Sequence, residues 1–107
     1  MTDSRNFERF EEFYPYYLSE HQNRVCRGLH YIGTSLALLI VVYAIVSKAW
    51  ILILPGIVSG YVFAWIGHFF FEHNKPATFQ YPLYSFVGDW VMLKDFLTGK
   101  LGERLND

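Results

Sequence analysis

Apolar and polar positions are sorted into blocks along this chain. No charged residue occurs from Tyr31 to Ser47, and from Ala49 to Phe71 the only residue that ionises near neutral pH is His68. Lys48 alone separates the two runs. Each run suits a membrane-crossing helix of about 20 residues. The pattern predicts transmembrane helices over 30–47 and 49–71, joined by a very short turn. Within the first, Gly33 and Ala37 form a pair of small residues four apart, which lets a neighbouring helix come close. Within the second, Gly56, Gly60, Ala64, His68 and Glu72 recur every four residues. They form one ridge, small at its first three positions and polar at its last two. Pro55 lacks a backbone donor and is expected to kink this helix.

The flanks read differently. Residues 4–13 predict an amphipathic helix capped by Ser4, with Phe7, Phe10 and Phe13 on one side. Arg5, Glu8, Arg9, Glu11 and Glu12 lie on the other, so the helix is expected to rest in the membrane interface. Pro15 is expected to break or restart it, and Tyr14, Tyr16 and Tyr17 to sit at headgroup level. Residues 82–98 predict a second interfacial or partly inserted helix. Phe86, Trp90, Leu93 and Leu97 make its apolar stripe, and Asp89, Lys94 and Asp95 keep it from being a conventional span. The fold class predicted is an all-α membrane protein: an antiparallel transmembrane hairpin flanked by amphipathic helices, one domain over 1–107.

Composition narrows the partners. The formal net charge is −1 and no block of like charge occurs, which gives a nucleic acid nothing to bind. Cys26 is the only cysteine, so no internal disulfide forms. The first apolar run starts some thirty residues in, so no secretory leader is expected. Eight of the nine Lys and Arg residues lie outside the turn, which places both termini on the cytoplasmic side.

The candidate chemistry lies at one end of the hairpin. Residues equidistant from a tight turn reach the same depth. The midpoint of His30 and His68 is position 49, putting each about 27–30 Å from the turn at 1.5 Å per residue. His21 and His73 share almost the same centre, so all four histidines gather at one end. On one continuous helix, His21 and His30 would point about 180° apart. Either Gly28 marks a bend, or His21 belongs to a separate helix that folds back. Neutral imidazoles bind transition metals, and two with a carboxylate leave open positions in non-haem Fe(II) oxygenases. Zinc competes on ligand type. The order here is H-x-x-x-E-H, not the H-E-x-x-H of zinc hydrolases, and no phosphate loop or nucleophile elbow occurs. His68 and Glu72 share a helical face. His73 needs the helix to end first, and Asn74 and Pro76 supply an ending. Ser85 and Asp89 either face the histidines or merely solvate their helix, and solvation is the simpler reading. Two rivals remain open: a b-type haem held axially by His30 and His68, and a membrane protein without catalysis.

The stretches Glu20-His21-Gln22-Asn23, Leu29-His30-Tyr31-Ile32-Gly33-Thr34 and Gly67-His68-Phe69-Phe70-Phe71-Glu72, with Lys75-Pro76-Ala77, carry a resemblance. Over roughly 14–97 the chain resembles the small multi-spanning membrane proteins related to the yeast 2-hydroxy fatty acid dioxygenase. The resemblance implies Fe(II)-dependent α-oxidation, in which a 2-hydroxy fatty acid and O2 yield CO2 and an acid one carbon shorter. It implies the endoplasmic reticulum in a eukaryote and the cytoplasmic membrane in a bacterium. His21, His30 and His68 match its histidines as metal ligands, and His73 departs from its pattern. The candidate set is therefore His21, His30, His68 and His73 for the metal, with Glu72 or His73 as fourth ligand or orienter. Glu72, Asn23 and Asp89 are the candidate catalytic groups. Arg24, Arg27 and Lys75 are expected to offset the substrate's carboxylate. The partners expected are the lipid bilayer, the 2-hydroxy acid and O2, with a homo-oligomer left open. The acid's tail is expected between lipid and spans, with shallow chain-length preference.

Overall fold

The helix carrying the first apolar run starts well before the run itself. In the computed structural model, which describes residues 7–105, Asn23 caps it. The Asn23 side-chain oxygen accepts hydrogen bonds from the N–H groups of Val25 (2.8 Å) and Cys26 (3.2 Å), satisfying donors that a helix start leaves bare. The described residues form five α-helices and no strand: α1 (Phe10–Ser19), α2 (Arg24–Ser47), α3 (Ile53–Gly67), α4 (Pro82–Leu97) and α5 (Leu101–Leu105). Gly28 lies inside continuous α2 and marks no bend. The second alternative holds: His21 follows a separate helix, α1, that folds back.

Helix α2 stops at Lys48, whose backbone is left-handed at φ 60°. The Ala49 N–H returns to the Ala44 carbonyl at 2.8 Å, closing the helix end. One 3-10 turn, Trp50–Leu52, leads into α3. Pro55 falls in the first turn of α3, where a missing N–H costs little. The bond expected to be lost at Pro55 is therefore one that a helix start scarcely uses.

The small ridge does what its spacing predicts. A Cβ added to Gly33 would lie 2.8 Å from the Gly60 carbonyl oxygen, and one on Gly60 would lie 3.3 Å from the Ala37 Cβ. Towards the turn, a Cβ on Gly56 would meet Ile40 at 2.8 Å; at the other end, one on Gly67 would meet the Cys26 sulfur at 2.9 Å. Positions 26, 33 and 40 thus face 67, 60 and 56, the register of an antiparallel hairpin. Arg24–Ser47 and Trp50–Glu72 are each long and apolar enough to cross a membrane, with mean hydropathies of 2.1 and 1.8. Only 17% of each apolar window is buried within the protein. A core helix of a water-soluble domain would be mostly buried, whereas here Leu39, Val46, Ile51 and Leu54 point outward.

The flanking helices depart from expectation. Helix α1 continues through Pro15, and residues 4–6 of the predicted 4–13 helix, Ser4 and Arg5 among them, lie outside the described residues. Phe13, Tyr14, Tyr17 and Leu18 are buried, joining Met92, Ala77 and Leu101 in the protein's own core. Tyr14 and Tyr17 therefore do not sit at headgroup level. Their hydroxyls need partners once buried, and α4 supplies them. Tyr14 donates to Asp95 at 2.8 Å, and Tyr17 donates to Asp89. The buried face of α4 is Ser85, Gly88, Met92 and Asp95, while Phe86 and Leu97 of the predicted stripe point outward. Arg104 of α5 reaches the same Asp95 carboxylate at 2.7 Å and ties the last helix down.

Candidate metal centre

Three of the four histidines meet, and each arrives by a different local device. His21 stands just past the end of α1, where its N–H bonds the Leu18 carbonyl at 3.0 Å. Arg27 clamps this loop by donating to the carbonyls of His21 and Gln22, both at 2.8 Å. The ring of Tyr17 stacks on that of His21 with centroids 4.0 Å apart. His30 projects from the second turn of α2. His68 opens a single π-helical turn, His68–Glu72, that continues α3. Such turns recur at functional sites because they re-aim a side chain.

The rings pack edge to face, with centroids 4.5 Å apart for His21–His30 and His21–His68 and 4.9 Å for His30–His68. All three are buried, at 1%, 3% and 2% exposure. One nitrogen from each lies within 4.8 Å of the others, an arrangement able to hold a metal ion. The outer nitrogens are occupied. The Nδ1 of His21 faces the Tyr17 carbonyl at 2.5 Å, and that of His30 faces the Cys26 carbonyl at 2.9 Å. The Nδ1 of His68 faces the Asn74 side-chain oxygen at 2.7 Å. Asn74 is oriented in turn, because its amide nitrogen donates to the Glu20 carbonyl at 3.1 Å. Carbonyl oxygens only accept, so each Nδ1 carries the proton and each Nε2 is left as a bare lone pair. Carbonyl-anchored imidazoles of this kind are what metal-ligating histidines show. Burial, together with the neighbouring His30 and His68, pushes the pKa of His21 well below its ordinary value, so its ring stays neutral.

The donor set fits a transition metal. It supplies three neutral nitrogens and leaves the other coordination positions open. The cavity between the rings measures about 10 Å³, on the scale of one small particle. A haem needs far more room, and His21 contacts both rings that would be its axial ligands, so the haem rival has no space here.

The remaining candidates fall elsewhere. Glu72 does not face the histidines: its carboxylate accepts from the Asn23 backbone N–H, 49 positions away in sequence. Asn23 is thereby occupied twice, as helix cap and as anchor for Glu72. His73 is exposed and left-handed at φ 59°, ending the π turn outside the cluster. Lys75 is exposed. Arg24 and Arg27 line a separate cleft of about 570 Å³ with Phe96 and Leu101, which shares no residue with the histidine cavity. Asp89 does line the cavity, and burial raises its pKa from 3.8 to about 7, although the Tyr17 hydroxyl draws it down. Ser85 also lines it, at 2% exposure and with no partner for its hydroxyl among the described residues. Simple solvation therefore does not account for Ser85 and Asp89.

Two contributors escaped the sequence reasoning. Asn74 was legible only as a helix ending, although an amide six residues after a histidine is a place to look for an orienter. Tyr17 gave no signal beyond aromaticity.

The family model described as "2-hydroxy-palmitic acid dioxygenase Mpo1-like" matches residues 7–101. No curated protein and no solved structure matches the chain.

Proposed function

Because the chain belongs to this Mpo1-like family, we propose that it is an Fe(II)-dependent dioxygenase of long-chain 2-hydroxy fatty acids. It would convert the 2-hydroxy acid and O2 into CO2, water and the fatty acid one carbon shorter. The observation that carries the reading is the convergence of three bare Nε2 atoms in a buried cavity, each with its outer nitrogen anchored. His21, His30 and His68 would hold the ion. Iron(II) bound there would supply unpaired electrons that let O2 react with a closed-shell acid, the acid itself being the net reductant, and a point of attachment for the 2-hydroxyl and carboxylate.

The chain's own groups do the rest. The three ligands come from different elements, and Ser85 and Asp89 of α4 line the same cavity. Ser85 would donate to the bound acid's head group. Asp89, with its pKa near 7 and gripped by Tyr17, is suited to accept the 2-hydroxyl proton. Tyr17 positions Asp89 by that hydrogen bond and His21 by stacking. Arg24, Arg27 and Lys75, at the same polar end, provide a positive field that draws the carboxylate rather than a contact that holds it. Glu72 and Asn23 act by locking the two ends of the hairpin together, which holds His30 and His68 in register. In this reading both long helices cross the membrane, with the histidines near the cytoplasmic face and Lys48 on the far side.

Zinc would suit three imidazoles as well, so the test is metal analysis with an absorption spectrum on the purified protein. About one iron per chain without a Soret band supports the reading. No metal after iron loading would favour the membrane protein without catalysis, and zinc alone would contradict the iron reading.

A further inference from the structure

A second cavity begins where the histidine site ends. It is an open groove of about 200 Å³ between α2, α3 and α4. Tyr61, Ala64 and Asp89 line both it and the histidine cavity, so the two adjoin. Polarity changes along its length. Thr34 and Asp89 stand at the histidine end, while Val41 and Ile57 stand at the other.

Both walls recede from the histidines by the same distance. On α2 the lining runs to Val41, eleven residues beyond His30, and on α3 it runs to Ile57, eleven residues before His68. At 1.5 Å per residue the groove's far end lies about 16 Å along the hairpin from the histidines. An extended alkyl chain advances roughly 1.3 Å per carbon from single-bond lengths, so about 13 carbons fit.

We propose that this groove is the subsite for the substrate's alkyl chain, holding it from the histidine cavity towards the Lys48 turn. The head group ends at Ser85 and Asp89. This rests on the dioxygenase reading of the histidine site, and adds to it where the tail lies and what measures it. A 2-hydroxypalmitate has fourteen carbons beyond the hydroxylated one, close to what the groove accommodates. The occupant is the reacting acid rather than a bilayer lipid, because the groove shares Asp89 with the histidine cavity, where the buried Ser85 hydroxyl has no partner among the described residues. A walled tail also changes the expectation of shallow chain-length preference: the far end at Val41 and Ile57 sets a limit.

Trp90 lines the groove and reports on it without turnover. Iron-free protein in nanodiscs of unbrominated phosphatidylcholine is titrated with 2-hydroxypalmitate brominated at mid-chain, and the Trp90 share of fluorescence is taken by difference from Trp90→Phe. Saturable quenching is expected. The double substitution Val41→Phe and Ile57→Phe should abolish most of it, and should shift the preferred 2-hydroxy acid shorter by about four carbons, one helical turn of 5.4 Å. Val41→Ala, which removes bulk at the far end and cannot clash, should shift preference the other way. Unsaturable quenching that brominated phosphatidylcholine reproduces would overturn the inference and leave an ordinary lipid-facing surface. Saturable quenching without turnover of any 2-hydroxy acid would keep the groove and defeat the dioxygenase reading instead.

Discussion

His21 and His30 point their Nε2 atoms at each other across 3.1 Å, and neither has a proton to share. Both protons are committed outward, to the Tyr17 and Cys26 carbonyls. Two facing lone pairs repel, and a cation between them turns the repulsion into coordination. His68 completes the set from the opposite helix. The three histidines together could hold a metal ion.

Alanine at His21, His30 or His68 should each reduce iron from about one per chain to near none. Alanine at His73 should leave it within twofold, because that ring is exposed and outside the cluster. Metal analysis of the four purified variants decides the point. Iron lost equally at His73 would mean that the exposed ring swings in.

Asn74→Ala should weaken iron binding about tenfold to a hundredfold, the usual effect of removing the group that orients a ligand. It frees the His68 ring and also breaks the link to the Glu20 carbonyl. Competition against a chelator of known affinity measures it, and unchanged affinity would show that His68 needs no orienter.

Gly33→Ala and Gly28→Ala make a matched pair on one helix. The first places a methyl 2.8 Å from the Gly60 carbonyl oxygen and should destabilise by about 1–3 kcal/mol. The second meets nothing within 4 Å and should be neutral or stabilising by up to about 1 kcal/mol. Thermal unfolding in detergent, followed by circular dichroism, should separate them in that order.

Asp89 gives a pH dependence with a definite sign. Folding raises its pKa from 3.8 to about 7, so between those values the folded chain holds a proton that the unfolded chain has lost. Stability is then highest at the acid end and falls as pH rises through the window, by at most about 1.4 kcal/mol per unit. Asp89→Asn should remove that slope from a series of melting curves. An unaltered slope would assign it to other groups.

The hairpin was legible because its signals are periodic. Gly56, Gly60 and Ala64 at intervals of four announce a contact surface, and depth follows from distance to Lys48. That reasoning paired His30 with His68. His21 could be placed only by knowing that α1 folds back, which depends on Tyr14 and Tyr17 finding Asp95 and Asp89 seventy or more positions away. Nothing local encodes such a pairing, and tyrosines flanking a predicted span read as interface residues. The carboxylate misled for a different reason. His68 and Glu72 share a face on an α-helix, but the π turn between them changes the register and gives Glu72 to Asn23. The stripe expected on α4 shows the same limit: Phe86 and Leu97 point outward, while Ser85 and Asp95 are buried by partners distant in sequence.

The proposed activity is oxidative decarboxylation of a 2-hydroxy acid by iron held at His21, His30 and His68. The direct measurement is product analysis by mass spectrometry on iron-loaded protein in nanodiscs with O2, comparing 2-hydroxypalmitate with palmitate. A site built around the hydroxyl should disfavour the unsubstituted acid by roughly 10⁴-fold. The proposed activity yields pentadecanoate and CO2 from the first and almost nothing from the second. Equal turnover of palmitate, or none of either with iron confirmed in place, would contradict it.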